Sequence, residues 1–234
     1  MQIYYYNDLV AEPSSLLTLP EELARHLSVV LRHNAGDSVM LCDGAGGLFE
    51  CEITRATKRS VEVRVLSVDR NFGVKSNKTV AVAPTKNMQR LEWAVEKIVE
   101  IGVGRIVPII SEHSERRNLK IDRLERIAKS AAQQSLKGYL TEIAEPMSFS
   151  DFVEQNRGGY IAHCNEGEKC QIEPHDDMNN LLIGPEGDFS VEEVNFAIEN
   201  GYRAVTLGDS RLRTETAAVV ATYLLRGLIK IDPD

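Results

Sequence analysis

Two short stretches gather residue types that could hold a small ligand and act on it. In LLIGPEGDFS, residues 181 to 190, the apolar run Leu181, Leu182, Ile183 stops at Gly184, Pro185, Glu186, Gly187 and Asp188. The glycines can adopt positive φ and let a ligand approach the backbone, while Pro185 stiffens the turn and removes one donor. Ser190 and Glu193 have the S-x-x-E spacing of a capping box, with Phe189 and Val194 at the staple positions. A helix is therefore predicted from Val191, closed by Gly201. A strand, a glycine loop and a helix start in succession suit phosphate binding, but Glu186 and Asp188 would repel a polyphosphate and no lysine follows a glycine as in a P-loop. A neutral or cationic ligand fits better, such as an adenosine attached to a sulfonium. The competing reading is a tight structural turn whose acids face a helix dipole.

The second stretch is VTLGDSRLRTETAAVVATYLLRGL. A strand ending in Gly208 runs into a polar loop with Asp209, Arg211 and Arg213, and Thr214 can cap a helix that has Glu215 in its first turn. That helix is apolar nearly all round, through Ala217, Ala218, Val220, Ala221, Leu224, Leu225 and Leu228, so it belongs in a core or a subunit interface. Two glycine-ended strands feeding capped helices make a ligand crevice at the strand C-termini.

The remaining sequence must position these loops. Over the first seventy or so residues, DSVMLCD and GLFECEIT read as strands joined by the glycine-rich DGAGG, and SVEVRVLSV alternates as a third, which predicts a small antiparallel barrel. Ahead of them, PEELARHLSVVLRH places Leu23, Leu27, Val30 and Leu31 at helical spacing. The polar DRNFGVKSNK marks a domain boundary, giving domains 1–72 and 73–234. From Thr79 the pattern changes to strands alternating with helices: TVAVAP, a helix over 88–101, GRIVPII, a helix with Ile121, Leu124, Ala128 and Ala131 on one stripe, then GYIAHC, NLLIG and AVTLG. That alternation predicts an α/β domain with a mainly parallel sheet.

The formal charge of −8 argues against a protein that coats nucleic acid indiscriminately. Residues 111–137 nevertheless hold seven Lys or Arg against four Asp or Glu, either a solvated helix face or a local basic path. Four cysteines are too sparse for a disulfide scaffold, and with no signal peptide or membrane span in view the expected location is the cytoplasm. His163, Cys164, Cys170 and His175 lack zinc-site spacing, and His163 and Cys164 would point to opposite faces of a strand. No metal is expected. Trp93 is expected to pack.

These motifs carry a resemblance. LLIGPEGDFS and LGDSRLRTETAA resemble the two signature motifs of the RsmE family of bacterial 16S ribosomal RNA methyltransferases, within the knotted SPOUT superfamily. The similarity extends over nearly the whole chain. HLSVVLRHNAGDSVMLCDGAGGLFECEI is similar to the family's PUA-like RNA-binding barrel, and RLEWAVEKIVEIGVGRIVPIISEHSERR to the first helix and second strand of its catalytic domain. Asp188 stands where the family carries glycine. Gln133 stands where it carries glutamate, and Leu136-Lys137 lie near its usual glycine and arginine.

The resemblance implies a trefoil-knotted methyltransferase domain behind a PUA-like barrel, a homodimer, and S-adenosylmethionine-dependent methylation of uridine N3 in the decoding region of 16S rRNA in the small ribosomal subunit. Leu182, Ile183, Gly184, Pro185, Glu186, Gly187, Leu207, Gly208, Leu212, Arg213, Thr214, Thr216 and Ala217 would hold the cofactor, with the Cys164–Glu166 turn lining the crevice. Arg213 or Arg211 would stabilise the uracil anion, and Glu215 or Asp209 would accept the proton, unless Glu215 only caps its helix and holds Arg213. Arg25, Arg32, His33, Lys86, Arg116, Arg117 and Arg123 would contact RNA, with His26, Lys120 and Lys129 beside them. Two other readings stay open: a related enzyme acting on another RNA base or on transfer RNA, and a non-catalytic RNA-binding factor.

Overall fold

A computed structural model describes residues 1–7, 9–173 and 177–227. His175 and Leu228 lie outside the described residues. The chain divides into two compact units, one of residues 1–75 with 132–140, the other of residues 76–131 with the chain from Thr141 onward.

The first unit is built on a five-stranded sheet. Its strands are β1 (Ile3–Tyr5), β2 (Leu16–Thr18), β3 (Ser38–Cys42), β4 (Leu48–Ala56) and β5 (Val61–Asp69), in the order β1-β3-β4-β5-β2. The glycine-rich link closes β3 onto β4 because the Asp43 carboxylate accepts the amides of Ala45 at 2.7 Å and Gly47 at 2.8 Å. The sheet is not wholly antiparallel, as its sequence pattern suggests, because β1 runs parallel to β3 at one edge. A three-residue strand carries too little pattern to announce its direction.

The expected helix is present but changes pitch. α1 (Glu21–Arg25) widens into a π-helical turn over His26–Val30, and the Leu31 amide reaches back to the His26 carbonyl at 3.0 Å. The wider turn shifts the side-chain phase. Leu27 stays fully buried in the core of this unit, whereas Val30 and Leu31 turn out to solvent. Residues 132–140 complete this unit: the Gly46 amide donates to the Gly138 carbonyl and the Leu140 amide to the Gly44 carbonyl, each at 2.9 Å. Gly138 is needed there, since a Cβ would lie 1.7 Å from the Phe72 carbonyl oxygen.

The second unit alternates strands and helices: β6 (Thr79–Val82), α2 (Met88–Ile101), β7 (Arg105–Ile110), α3 (Ile121–Gln134, up to Ala131 in this unit), β8 (Glu142–Ile143), β9 (Met147–Ser148), α4 (Phe149–Gln155), β10 (Gly159–Ala162), β11 (Asn180–Ile183), α5 (Val191–Glu199), β12 (Tyr202–Val205) and α6 (Thr214–Arg226). The sheet order is β12-β10-β11-β6-β7-β8, with β9 also beside β7, and the pairings are parallel. Burial on both faces explains the unbroken apolar runs of β6 and β11. Ala81, Val107, Ile161 and Leu182 on one face pack with Phe149, Phe152, Val194 and Ala197 of α4 and α5. α6 lies over β11 and β6 and packs on α2.

Candidate functional site

The C-terminal ends of three adjacent strands converge on a cavity of about 550 Å³ in the second unit. Ala162 of β10, Ile183 of β11 and Val205 of β12 form its floor, and the loops that follow them form its walls. The strand ends are held level by register, since Ala162 pairs with both Ile183 and Val205. This volume is in the range of sites for small organic ligands.

Each wall has a local cause. The loop after β11 is anchored at its far end by the predicted capping box: Ser190 Oγ accepts the Glu193 amide at 3.3 Å and Glu193 returns a carboxylate oxygen to the Ser190 amide at 3.0 Å. The staple residues Phe189 and Val194 are buried in one cluster. Gly201 then closes α5 with φ +88°. The other Glu193 oxygen accepts the Glu112 amide at 2.8 Å, so the loop after β7 is tied to the same helix start.

The acids of this loop are committed to backbone amides. Glu186 accepts the Lys86 amide at 3.0 Å. Asp188 sits in the left-handed region at φ +64°, where glycine is favoured and Asp tolerated. Its carboxylate takes the Cys164 amide at 2.6 Å and its own neighbour Phe189 at 2.8 Å. Its carbonyl lies 3.0 Å from His113 Nδ1.

Of the residues singled out in the sequence, Ile183, Gly184, Pro185, Glu186, Leu207, Gly208, Leu212, Arg213, Thr214 and Ala217 line the cavity, together with Asp188, Asp209 and Arg211. Leu182 points into the core beneath it, and Gly187 faces His113, whose Cβ would lie 3.0 Å from an added Cβ. Thr216 is not among the lining residues. Thr214 is the first residue of α6 rather than its cap. Arg213 holds the cap position with extended backbone and no side-chain cap bond, its carbonyl accepting the Ala217 amide at 2.8 Å.

Glu215 turns away from the cavity. It is buried, its Oε1 lies 3.6 Å from Arg90 Nε on α2, and its Oε2 has no hydrogen-bond partner among the described residues. It does not hold Arg213 by any contact on this face. The cavity also takes His163, Cys164 and Lys169, of which Lys169 carries no sequence signal because it comes from an irregular loop. The His163 ring has both nitrogens buried without a partner among the described residues. Burial pushes its imidazole below the usual range, the Lys169 ammonium acts the same way, and the Asp188 carboxylate opposes them.

The basic candidates divide. In the first unit Arg25 and Arg32 are exposed, Arg32 with φ +60°, and His33 Nδ1 lies 3.1 Å from Asp37. In the second unit Lys86, Arg116 and Arg117 line one shallow groove with Glu115 and Asn118. Lys86 pairs with Glu115 at 3.0 Å, and Arg116 donates to the Lys86 carbonyl at 3.1 Å. Arg123 forks onto Glu92 at 2.6 and 2.7 Å. Trp93 is not a packing residue only: it is 44% exposed, beside Arg126 and Ile127.

Comparison with known proteins converges with this geometry. A family model for an RNA methyltransferase domain matches residues 74–226, and one for an RNA methyltransferase PUA domain matches residues 19–66. The chain is 27% identical to the ribosomal RNA small subunit methyltransferase E of Rickettsia conorii over 95% of this chain and 93% of the relative. A solved structure from Porphyromonas gingivalis, described as a probable rRNA-methyltransferase, shares 40% identity and superposes with a TM-score of 0.85 over 97% of this chain and 98% of its own. The ribosomal RNA small subunit methyltransferase E of Neisseria gonorrhoeae, solved bound to S-adenosyl methionine, shares 28% identity with a TM-score of 0.86 over 97% and 98% of the two chains. With matches along both units and two signature loops meeting at one cavity, the chain belongs to the RsmE family of RNA methyltransferases.

Proposed function

We propose that this protein transfers a methyl group from S-adenosylmethionine to N3 of a uridine in the decoding region of 16S rRNA. The observation that carries the reading is the cavity at the ends of β10, β11 and β12, whose walls are the GPEGD and GDSRLRT loops. The lining suits the cofactor: its volume admits a nucleoside with an amino-acid tail, and the bare imidazole of His163 awaits a polar partner. Ile183, Gly184, Pro185, Glu186, Leu207, Gly208, Leu212, Arg213, Thr214 and Ala217 would hold it. The cofactor supplies an electrophilic methyl on a sulfonium, so the reaction calls for no metal.

The chain's own groups then position and polarise. Arg213, left free of capping work, can hold negative charge on the uracil as its N3 proton departs. Arg211 lies in the same loop and can share that charge. Of the two candidate proton acceptors, Asp209 lines the cavity while Glu215 faces Arg90, so the geometry favours Asp209. Exclusion of water by the apolar floor strengthens each of these interactions.

Several finer points belong to the same reading. Family membership supports a trefoil knot, with the GPEGD and GDSRLRT loops at the cavity in its knotted region. α6 leaves Val220 and Tyr223 exposed, three residues apart on one side of the helix, which supports a homodimer through that helix. Arg25, Arg32 and His33 on the first domain, and Lys86, Arg116 and Arg117 on the second, would contact phosphates, with Arg123 held in its ion pair until RNA competes for it. Domains divided near residue 72, an assembled small subunit as substrate, and a cytoplasmic location complete the proposal. Among the described residues no helix is long and apolar enough to cross a membrane. Titration calorimetry tests its first step. Saturable S-adenosylmethionine binding, weakened by Arg213→Ala, is expected; no binding by the folded protein would refute the reading.

A further inference from the structure

Two features of the cavity wall still lack an assigned contact or role. The ring of His163 lines the cavity with both nitrogens buried and without a partner among the described residues. Buried polar atoms are nearly always hydrogen-bonded, so a ring left bare in a cavity marks a place for a ligand atom. The other feature is the carboxylate of Asp188, which reaches across from the loop after β11 to take the amide of Cys164 at 2.6 Å. That amide belongs to the peptide plane directly after His163. Holding that plane restrains ψ of His163 and so fixes the Cα–Cβ bond from which the imidazole projects.

Asp188 is itself fixed. Its backbone is left-handed at φ +64°, its second carboxylate oxygen takes the Phe189 amide at 2.8 Å, and its carbonyl lies 3.0 Å from His113 Nδ1. Three loops thus meet at one residue, and a glycine there could keep the backbone path but not the bond to Cys164. A charged acceptor on a backbone amide is among the stronger hydrogen bonds, so the clamp is rigid.

We propose that His163 is a cofactor-binding residue that hydrogen-bonds a neutral hydroxyl-bearing part of S-adenosylmethionine, such as the ribose, and that Asp188 is the positioning residue that presents it. A neutral imidazole has one donor and one acceptor nitrogen, which matches a hydroxyl and does not discriminate for the sulfonium. Burial and the Lys169 ammonium both favour that neutral form, against the Asp188 carboxylate. The inference rests on the cofactor assignment made above; it adds His163, which lies outside both signature motifs, and gives a role to Asp188, which stands in the first motif where the family carries glycine.

The experiment is calorimetric binding of S-adenosylmethionine and of S-adenosylhomocysteine to the full-length wild type, His163→Ala, Asp188→Gly, Asp188→Asn and the His163→Ala, Asp188→Gly double variant, with amide hydrogen exchange read at Cys164. His163→Ala is expected to weaken both ligands by roughly tenfold, the loss of about one hydrogen bond. Asp188→Gly should weaken them by a similar factor and speed exchange at Cys164. The double variant should be no worse than the poorer single, because Asp188 acts through His163, and Asp188→Asn, which keeps an acceptor oxygen, should recover part of the affinity. Losses that multiply in the double variant would overturn the proposal. So would a His163→Ala protein within about twofold of wild type, a loss confined to the sulfonium ligand, or unchanged exchange at Cys164 in Asp188→Gly. If the wild type binds neither nucleoside, the cofactor reading itself has failed, and the exchange data still report whether the clamp exists.

Discussion

Arg213 holds the cap position of α6 without a side-chain cap bond, a break in the local pattern that forgoes about 1 kcal/mol of cap energy and leaves Arg213 lining the cavity. Replacing Arg213 by alanine should lower kcat by on the order of 10²-fold, the usual cost of removing one preorganised charge, with the thermal midpoint nearly unchanged. Glu215, two residues on, behaves oppositely. With one oxygen by Arg90 and the other bare, it is a buried carboxylate whose loss of partner is costly. Arg90→Ala should destabilise the fold by about 1–3 kcal/mol in a denaturant titration, while Glu215→Gln should retain methyl transfer if its role is structural. His163 gives a pH test. Its folded pKa lies below the ordinary 6.5, so the unfolded chain takes up the proton first. Stability from its neutral form is therefore fully present above about 6.5 and falls as pH drops through that value toward the folded one. The thermal midpoint of wild type should fall more between about pH 7 and pH 5 than that of His163→Gln; parallel curves would contradict the burial argument. At this scale the sequence made Arg213 and the GPEG glycines legible, because a loop between a strand and a capped helix is written in adjacent residues. It could not show that Glu215 faces α2 or that Lys169 and His163 reach the cavity, since those contacts join residues far apart in the chain.

At the level of elements, the regular pieces followed from periodicity. α2 occupies the expected 88–101 span, capped by Asn87 and ended by Gly102 at φ +99°, and the capping box at Ser190 was readable residue by residue. Ser190→Ala should cost about 1 kcal/mol, a drop of roughly 2–4 °C in a chain of this size by calorimetry. Because the same helix start also anchors the loop after β7 through Glu193, the variant should loosen amide exchange at Glu112 as well. Gly159→Ala is expected to be worse, since a Cβ there meets the Asn180 carbonyl oxygen at 2.4 Å and would push β10 from β11. Such a variant should lose S-adenosylmethionine binding along with stability, because those two strands form the cavity floor. The features that pattern reading missed are the ones with little pattern: the parallel edge strand β1, the π turn that rotates Val30 outward, and residues 132–140, whose place beside the Gly44–Gly46 turn depends on the absence of a side chain at Gly138.

Considered as a whole molecule, the protein carries a formal charge of −8 and yet belongs to a family of RNA methyltransferases, so its affinity for RNA has to come from local basic faces and from shape. Binding should therefore favour a folded ribosomal particle over short naked oligonucleotides and weaken steeply as salt rises, which filter binding across an ionic-strength series would read. The proposed homodimer would cover Val220 and Tyr223, and light scattering should report twice the chain mass, reduced by charge placed at Tyr223. The central claim is the reaction itself. The measurement that tests it most directly is methyl transfer from isotopically labelled S-adenosylmethionine to small ribosomal subunits isolated from cells lacking this protein, followed by mass spectrometry of the digested RNA. A single labelled N3-methyluridine in 16S rRNA, lost with Arg213→Ala, is the predicted result; a protein that binds the cofactor and leaves every uridine of that RNA unmodified would contradict it.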